Sequence, residues 1–228
     1  SDLVAPDRYS FDNAGVVESY VTGGGAGITS ITIDGARRDV PAMRFTVGDT
    51  RKRGAAFSHI GTLSGAPLKV GAQVQAKIDN ARRESTRRNH TATHLLCALV
   101  PHAVDGCSIT AAYARLDFHT HEPLDKQALS DGIARLVAGR HAVRHRWISE
   151  AELDASPQLV RSMSVRPPRG QGRVRVLEII GVDLQPCGGT HVANTADIGN
   201  VVVTKIEKKS AMTRRVILGF AEAAAGRG

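Results

Sequence analysis

The chain has 228 residues, which is enough for one large domain or two modest domains with cores of their own. Its hydrophobic content of 42% and charged content of 23% are ordinary for a globular protein, and no apolar run approaches the length of a membrane span. The formal net charge of +8 favours a polyanionic partner, nucleic acid before membrane, because no basic amphipathic helix with aromatic anchors accompanies the charge.

Residues 1–80 predict a small β-barrel. Stretches 15–21, 28–33 and 42–47 alternate in polarity or carry β-branched residues, and turns that contain glycine separate them. Strands at this spacing are typical of a barrel. The glycine-rich segment 22–27 lacks the Lys-Ser/Thr ending of a phosphate-binding P-loop, so we interpret it as a flexible turn.

A helix is predicted for residues 80–100, with Asn80 as its N-cap and Pro101 ending it. Four arginines crowd its first turns, namely Arg82, Arg83, Arg87 and Arg88. They either form a solvated face or contact phosphates, and the sequence favours neither reading over the other.

The second half of the chain mixes strands and helices without strict alternation. Residues 107–118 predict a strand or hairpin, 125–141 a helix that starts near Asp125, and 150–154 a short helix. Residues 173–180 predict a strand, and 200–207 and 214–220 an antiparallel pair that closes the sheet. Residues 223–228 predict a mobile tail. The order of elements therefore predicts an α+β fold.

Two pairs of donors have metal-ligand spacing. His90 and His94 project from one helical face about a turn apart, and Cys187 and His191 flank two glycines that allow a tight loop. Taken alone, the histidine pair would be interpreted as two residues at the edge of the hydrophobic core beside Leu95. Together, one sulfur and three imidazole nitrogens suit a tetrahedral Zn²⁺. The predicted zinc ligands are His90, His94, Cys187 and His191.

Two longer strings carry a family resemblance. Residues 88–96, Arg-Asn-His-Thr-Ala-Thr-His-Leu-Leu, and residues 187–192, Cys-Gly-Gly-Thr-His-Val, resemble the signature of the alanyl-tRNA synthetase editing domain. Stand-alone AlaX-type trans-editing proteins and the threonyl-tRNA synthetase editing domain share this signature. The resemblance covers residues 57–220 and implies a two-layer α/β editing domain at 81–222 after the barrel at 1–80. It also implies that 58–63 and 68–79 are the last barrel strands.

The resemblance implies a zinc-dependent aminoacyl-tRNA deacylase that acts in trans on the ester of a mischarged tRNA. The substrates it implies are Ser- or Gly-tRNA(Ala), or a tRNA charged with a threonine-like or non-proteinogenic residue such as fluorothreonine. A catalytically silent tRNA-binding module with a structural zinc is the alternative. A third reading is a zinc hydrolase that acts on a small ester or amide. Such a substrate does not require a basic surface, and this counts against the reading.

Candidate site residues follow from the matched motifs. We predict that Thr91, Thr93 and Ser108 orient water or the amino acid, although an ordinary helical role is the simpler reading of either threonine alone. The predicted amino-acid pocket consists of Gly106, Cys107, Ser108, Gly188 and Gly189. Here the chain departs from the family, because it lacks the family's Gln and carries Cys107 in place of a glycine. The predicted tRNA-binding residues are Arg82, Arg83, Arg87, Arg88, Lys208, Lys209, Arg214 and Arg215.

The cellular context is a further expectation from composition. Three cysteines are too few for a disulfide framework, and the first residues lack the pattern of a signal peptide. We therefore expect a cytoplasmic protein whose partner is aminoacylated tRNA and not a membrane. The sequence specifies no oligomeric state.

Overall fold

The computed structural model describes residues 8–11, 16–21, 28–33, 43–53, 56–64, 75–160, 170 and 172–221. The chain forms two compact units, Ser1–Arg83 and Glu84–Gly228. The described part is mostly sheet with few helices, and none of those helices is long and apolar enough to cross a membrane. The glycine-rich segment 22–27, the start of the predicted strand at 68–79 and the tail 223–228 lie outside the described residues.

The first unit contains one antiparallel sheet. Its strands are β1 (Arg8–Phe11), β2 (Val16–Val21), β3 (Ile28–Ile33), β4 (Met43–Arg53), β5 (Ala56–Ser64) and β6 (Gln75–Ile78). Their order is β1-β2-β5-β4-β3-β6, so β1 and β6 are edges that do not pair with each other. The prediction of a closed barrel is therefore wrong for the described strands. Strand spacing indicates how many strands there are, whereas closure also requires the two edge strands to pair, which β1 and β6 do not.

Helix α1 (Asn80–Leu99) carries the first donor pair. It starts directly after Asp79, whose Oδ1 accepts a hydrogen bond from the Arg82 amide at 2.9 Å. Asp79 is therefore the N-cap, and the predicted cap at Asn80 is wrong by one residue. Asn89 and residues 91–97 of α1 are buried, so its later turns pack and its first turns face solvent.

A four-stranded sheet packs against the buried face of α1. Its order is β12-β13-β8-β7, made of β7 (Val104–Ile109), β8 (Tyr113–His119), β12 (Val201–Ser210) and β13 (Thr213–Phe220). The predicted hairpin and the predicted closing pair are thereby confirmed. Alternate residues of β8, Ala114, Leu116 and Phe118, are buried at 0–3% exposure and meet Leu95 and Leu96 in one core. This sheet is the main hydrophobic support of the helix.

Helix α2 (Lys126–Ala138) lies against α1 in the same core. Asp125 caps it by accepting from the Ala128 amide at 2.8 Å, which confirms the predicted start. The helix ends before Gly139, three residues short of the predicted end at 141. Gly132 allows the two helices to approach closely, because a Cβ there would lie 2.8 Å from Cδ1 of Leu99.

A second sheet, of three strands, carries the second donor pair. Its order is β11-β10-β9, made of β9 (Val143–Ser149), β10 (Arg173–Ile179) and β11 (Asp183–Pro186), with the short helix α3 (Glu150–Asp154) after β9. Strand β10 and helix α3 were predicted, and β9 and β11 were not. Leu177 and Ile179 join the main core, while Val174 and Val176 form a smaller cluster on the opposite face. Strand β11 ends at Pro186, so Cys187 follows the edge of this sheet directly.

Candidate metal centre

The fold brings the two donor pairs together. One ligand atom from each of four side chains lies within 4.8 Å of all the others. These side chains are His90, His94, Cys187 and His191, which are the four ligands that the sequence predicts. They come from the middle of α1 and from the loop after β11, about a hundred residues apart in the chain.

Both sulfur–nitrogen distances at Cys187 fit a tetrahedral ion. The Cys187 sulfur lies 3.5 Å from Nε2 of His90 and 3.3 Å from Nε2 of His191. In a tetrahedral zinc site, neighbouring sulfur and nitrogen ligands are roughly 3.3–3.7 Å apart, given Zn–S and Zn–N bonds of about 2.3 and 2.0 Å. A thiolate with three imidazoles is also a donor set that zinc accepts. The residues present therefore fit the predicted metal.

Two histidines are held by partners behind the cluster. Nδ1 of His94 lies 2.8 Å from Oδ2 of the buried Asp183, and Nδ1 of His191 lies 3.3 Å from Oγ1 of Thr91. The Thr91 hydroxyl donates to the Arg87 carbonyl, so it accepts from the His191 ring. A proton on Nδ1 leaves the Nε2 lone pair facing the cluster in each ring. Asp183 and Thr91 thus orient two ligands for metal binding.

The electrostatics of the cluster favour an ionised thiol. Burial opposes ionisation of Cys187, but side-chain hydrogen bonding with His191, His90 and His94 lowers its pKa to about 3. Burial would lower the pKa of His94, yet its bonds to Asp183 and Cys187 raise that pKa to about 9. Burial and the neighbouring histidines lower the pKa of His191 to about 4. Metal binding requires a thiolate and neutral imidazoles, so the ionised Cys187 and the neutral His191 favour it, whereas His94 must release a proton to bind an ion.

Two arginine side chains hold the Cys187 loop by binding its backbone carbonyls. Arg175 donates from Nη1 to the carbonyls of Cys187 and Gly189 at 2.9 and 2.8 Å, and Arg87 donates from Nε to the His191 carbonyl at 2.8 Å. A Cβ at Gly189 would collide with the His90 ring, whereas one at Gly188 would meet nothing within 4 Å. Close approach to a ligand is therefore what requires a glycine at position 189.

The threonines predicted to act on water or substrate are buried in the helix. Thr91 is 0% exposed, and its hydroxyl also accepts from the Val192 amide at 3.2 Å. The Thr93 hydroxyl donates to the His90 carbonyl at 2.7 Å. Both groups therefore position the ligand-bearing backbone or ring. The roles toward water or substrate stay predictions.

The predicted pocket residues of β7 divide between two faces of the sheet. Cys107 pairs across the strands with the buried Leu116, whereas Gly106 and Ser108 pair with Asp117 and Arg115 on the alternate face. Cys107 thus lies on the face that packs against α1. Ser108 lies on the opposite face.

The predicted tRNA-binding arginines and lysines differ in the contacts that they make with other residues of the chain. Arg88 donates to the Ile198 carbonyl at 2.7 Å and stacks 4.2 Å from the Phe220 ring centroid, and Arg215 forms two bonds of 2.7 and 2.8 Å with Asp117. Arg214 donates to carbonyls of the β12–β13 turn. Arg87 holds the Cys187 loop, and Arg82, Lys208 and Lys209 are exposed. The tRNA contact of the whole set stays a prediction.

Two residues important for the site were missed from the sequence. Asp183 precedes Cys187 by four positions on the unpredicted strand β11, and Arg175 lies on β10. The alternation of side chains along β10 predicts the face on which Arg175 lies. It does not predict that Arg175 binds the carbonyls of the Cys187 loop, because that contact depends on the tertiary fold. No local pattern marks Asp183 as the partner of His94, which lies 89 residues away.

Comparison with known proteins agrees with this site. Residues 174–217 match the family model described as the Threonyl and Alanyl tRNA synthetase second additional domain. The chain is 34% identical over 187 residues to the alanine--tRNA ligase of Synechococcus sp. (strain JA-3-3Ab), which covers 75% of this chain and 20% of that protein. It is 32% identical over 226 residues to the alanine--tRNA ligase of a strain of Prochlorococcus marinus, covering 92% and 23%.

A third relative, the alanine--tRNA ligase of Halorhodospira halophila (strain DSM 244 / SL1), is 31% identical over 201 residues, covering 81% of this chain and 23% of that protein. The chain thus spans about a fifth of the length of these curated relatives. The matched region contains the Cys187 loop that completes the cluster. The domain match, the relatives and the convergence of both motifs show that this chain belongs to the alanyl-tRNA synthetase editing-domain family.

Proposed function

We propose that this chain hydrolyses the ester between an amino acid and a mischarged tRNA, with Zn²⁺ held by His90, His94, Cys187 and His191. The observation that carries the proposal is the convergence of these four ligand atoms within 4.8 Å in a chain of the editing-domain family. A polyanionic substrate also agrees with the net charge of +8. The proposed activity is that of an aminoacyl-tRNA deacylase.

Each part of the site has a role in this proposal. Zn²⁺, when bound, supplies a positive charge that orients the substrate's amino group or polarises its carbonyl. Asp183 and Thr91 keep two imidazoles aimed at the ion, and Arg175 keeps the Cys187 loop in place. An aminoacyl ester is already activated, so a positioned water suffices without a nucleophilic side chain.

Access to the cluster supports a role in binding substrate. His94 and His191 are buried, whereas His90 and Cys187 are only half-buried and Gly188 is exposed. Solvent and substrate therefore reach the cluster from the side of the Cys187 loop. A site that serves only to stabilise the fold needs no such opening.

The pocket for the amino-acid side chain forms part of the proposal. Since Cys107 lies on the α1 face and Ser108 on the other, we assign the pocket wall to Cys107. Small pockets discriminate by one or two atoms, so Cys107→Val should change the kcat/KM ratio of seryl to glycyl esters by about tenfold or more. Ser108→Ala is the matched control. A loss confined to the hydroxylated substrate in Ser108→Ala would instead support the sequence-based assignment to Ser108.

The substrates proposed are those that the family resemblance implies. They are Ser- or Gly-tRNA(Ala), or a tRNA that carries a threonine-like or non-proteinogenic residue such as fluorothreonine. Action in trans is part of the proposal, and an assay with this 228-residue chain alone tests it. The exposed groups Arg82, Lys208 and Lys209 are the proposed phosphate contacts, so tRNA affinity should fall steeply with salt.

A tRNA-binding module without catalysis is the second candidate. The observation in its favour is the donor count, because four protein ligands are the number that closes a structural zinc site. Under this reading the zinc would hold α1 to the Cys187 loop and do nothing to the ester.

One assay separates the two candidates. The chain is mixed with tRNAs that carry serine, glycine, threonine or alanine, and release of the amino acid is followed with and without a chelator. The deacylase proposal expects release from at least one mischarged tRNA, and expects the chelator to abolish it. Binding of every tRNA without release of any amino acid would favour the silent module.

A further inference from the structure

The only tryptophan of the chain, Trp147, is 53% exposed on strand β9. β9 is an edge strand, because it pairs with β10 alone in the three-stranded sheet. Its residues from Arg144 to Trp147 are all exposed. Burial of so large an aromatic ring on binding would gain hydrophobic free energy, and Trp is enriched at binding interfaces.

An arginine already covers part of this ring. The Arg173 guanidinium lies 4.7 Å from the centroid of the Trp147 ring, which is within the range of a cation–π contact. We call Trp147 and Arg173 the stacking pair. A planar cation beside an indole gives two flat surfaces that accept another planar group.

The stacking pair lies next to the Cys187 loop. Trp147 is directly opposite Arg175 on β10, and residues paired in this way point to the same face of a sheet. The Arg175 side chain on that face binds the carbonyls of Cys187 and Gly189. Trp147 is therefore one cross-strand pair away from the residue that fixes the metal-binding loop.

The charge around the pair is positive. Arg173 and Arg175 on β10 lie on the same face of the sheet as Trp147. Arg144 and Arg146 alternate onto the other face of the β9 edge, where Arg144 pairs with Glu178. An aromatic ring among cations at a sheet edge is the combination that binds unpaired nucleotides, since bases stack on the ring and phosphates meet the cations. A peptide or lipid partner would not need a flat cation beside the ring.

We propose that the stacking pair binds an unpaired base near the 3′ end of tRNA and so guides the aminoacylated terminus to the cluster. The inference rests on the proposed function, because the esterified ribose must lie at the metal centre. The 3′ end of tRNA is single-stranded, so its bases are free to stack. The phosphates beside the stacked base would meet Arg173, the cation that lies on the same face as Trp147.

The single tryptophan gives a direct readout. Fluorescence of Trp147 is titrated with deacylated tRNA that has an intact 3′ end, and with the same tRNA lacking its four 3′-terminal nucleotides. We expect saturable quenching by the intact tRNA and little quenching by the truncated tRNA. Trp147→Ala and Arg173→Ala should weaken binding of intact tRNA by about 5- to 100-fold, as expected for one stacked base.

Two further variants sharpen the test. Trp147→Phe keeps a stacking surface and should retain most of the affinity. Tyr113→Ala removes an aromatic ring of similar exposure, 41%, from the other sheet and should leave tRNA affinity unchanged. Equal losses in Tyr113→Ala and Trp147→Ala would overturn the inference.

The outcomes separate this inference from the deacylase proposal. Quenching by intact tRNA without hydrolysis of any mischarged tRNA supports the stacking pair and contradicts the deacylase. Hydrolysis with unchanged Trp147 fluorescence at saturating tRNA overturns the stacking pair and leaves the deacylase standing. Equal quenching by truncated tRNA, or no tRNA binding at all, also overturns the stacking pair.

Discussion

The two sheets of the second unit use their faces differently. The four-stranded sheet buries every second residue of β8 under α1, with Ala114 and Phe118 at 0% exposure. The three-stranded sheet has apolar residues on both faces of β10, four consecutive exposed residues on β9, and the Cys187 loop at the end of β11. The four-stranded sheet thus supports α1, and the three-stranded sheet carries the loop whose Cys187 and His191 lie beside the α1 histidines.

Because of this difference, we expect effects on fold stability and effects on metal binding to arise from substitutions in different sheets. Substitutions in the four-stranded sheet should change the free energy of unfolding and spare the metal. Substitutions around the Cys187 loop should change metal binding and spare the fold.

The largest expected effect is the loss of zinc when Cys187, in the loop after the three-stranded sheet, is substituted. Wild-type protein should contain about one zinc ion per chain, and Cys187→Ser should retain less than about a tenth of it after dialysis, because zinc prefers thiolate to hydroxyl. Metal analysis measures the content. Cys107→Ser, which changes an exposed thiol, is the matched control and should keep its zinc. Equal zinc in Cys187→Ser and wild type would remove Cys187 from the ligand set.

The next effect belongs to the four-stranded sheet. Phe118 is fully buried, so Phe118→Ala should lower the free energy of unfolding by about 3–5 kcal/mol through lost burial and a cavity. Denaturant unfolding measures this loss. Zinc content of the folded variant should match wild type. Loss of zinc from a folded Phe118→Ala protein would contradict the division between the two sheets.

A smaller effect is expected behind the cluster. Asp183→Ala removes the acceptor that fixes His94 and should weaken zinc binding by about 10- to 100-fold, as is usual for such a partner. Competition with a chelating dye measures the affinity. Asp105→Ala removes a comparable partner, 3.1 Å from His119, away from the cluster and serves as the control. Equal affinities in the two variants would mean that Asp183 does not orient the ligand.

What the sequence predicted depends on the range of the signal. The clustering of four donor side chains was predictable because each pair is local, with His94 four positions after His90 and His191 four positions after Cys187. Hairpins and helices with regular periodicity were also predictable, as β8 and α2 illustrate. Their periodicity comes from one buried face each, and such a face leaves a readable pattern.

The missed elements had no such pattern. β9 contains four exposed residues in a row, which breaks alternation, and β11 has only four residues. The roles of Asp183 and Arg175 exist only after distant strands meet. The closed barrel was inferred from strand spacing, which counts strands but does not determine whether the edges pair.

The smallest expected effect is electrostatic and again concerns the four-stranded sheet. The hydrogen bond from Arg215 lowers the pKa of Asp117 below its ordinary 3.8, although burial opposes the shift. This pair therefore stabilises the fold fully above pH 3.8 and loses its contribution as the pH falls through the lower folded-state pKa.

Unfolding at pH 6 and at pH 3 tests that contribution. Asp117→Asn should lower the free energy of unfolding by about 1 kcal/mol at pH 6 and by less at pH 3, because below the ordinary pKa of 3.8 the unfolded wild-type chain binds a proton that the folded Asp117 takes up less readily. Asp131→Asn, at an exposed position on α2, is the control. An equal loss at both pH values would mean that the Asp117 charge does not act through Arg215.

The central claim is that the metal cluster serves ester hydrolysis. The most direct measurement is the rate of serine release from Ser-tRNA(Ala) by wild-type protein, by metal-stripped protein, and by stripped protein to which zinc is returned. We expect hydrolysis by the first and third samples and none above the uncatalysed rate by the second. Stripped protein that remains folded, binds the tRNA and hydrolyses it at the wild-type rate would contradict the claim.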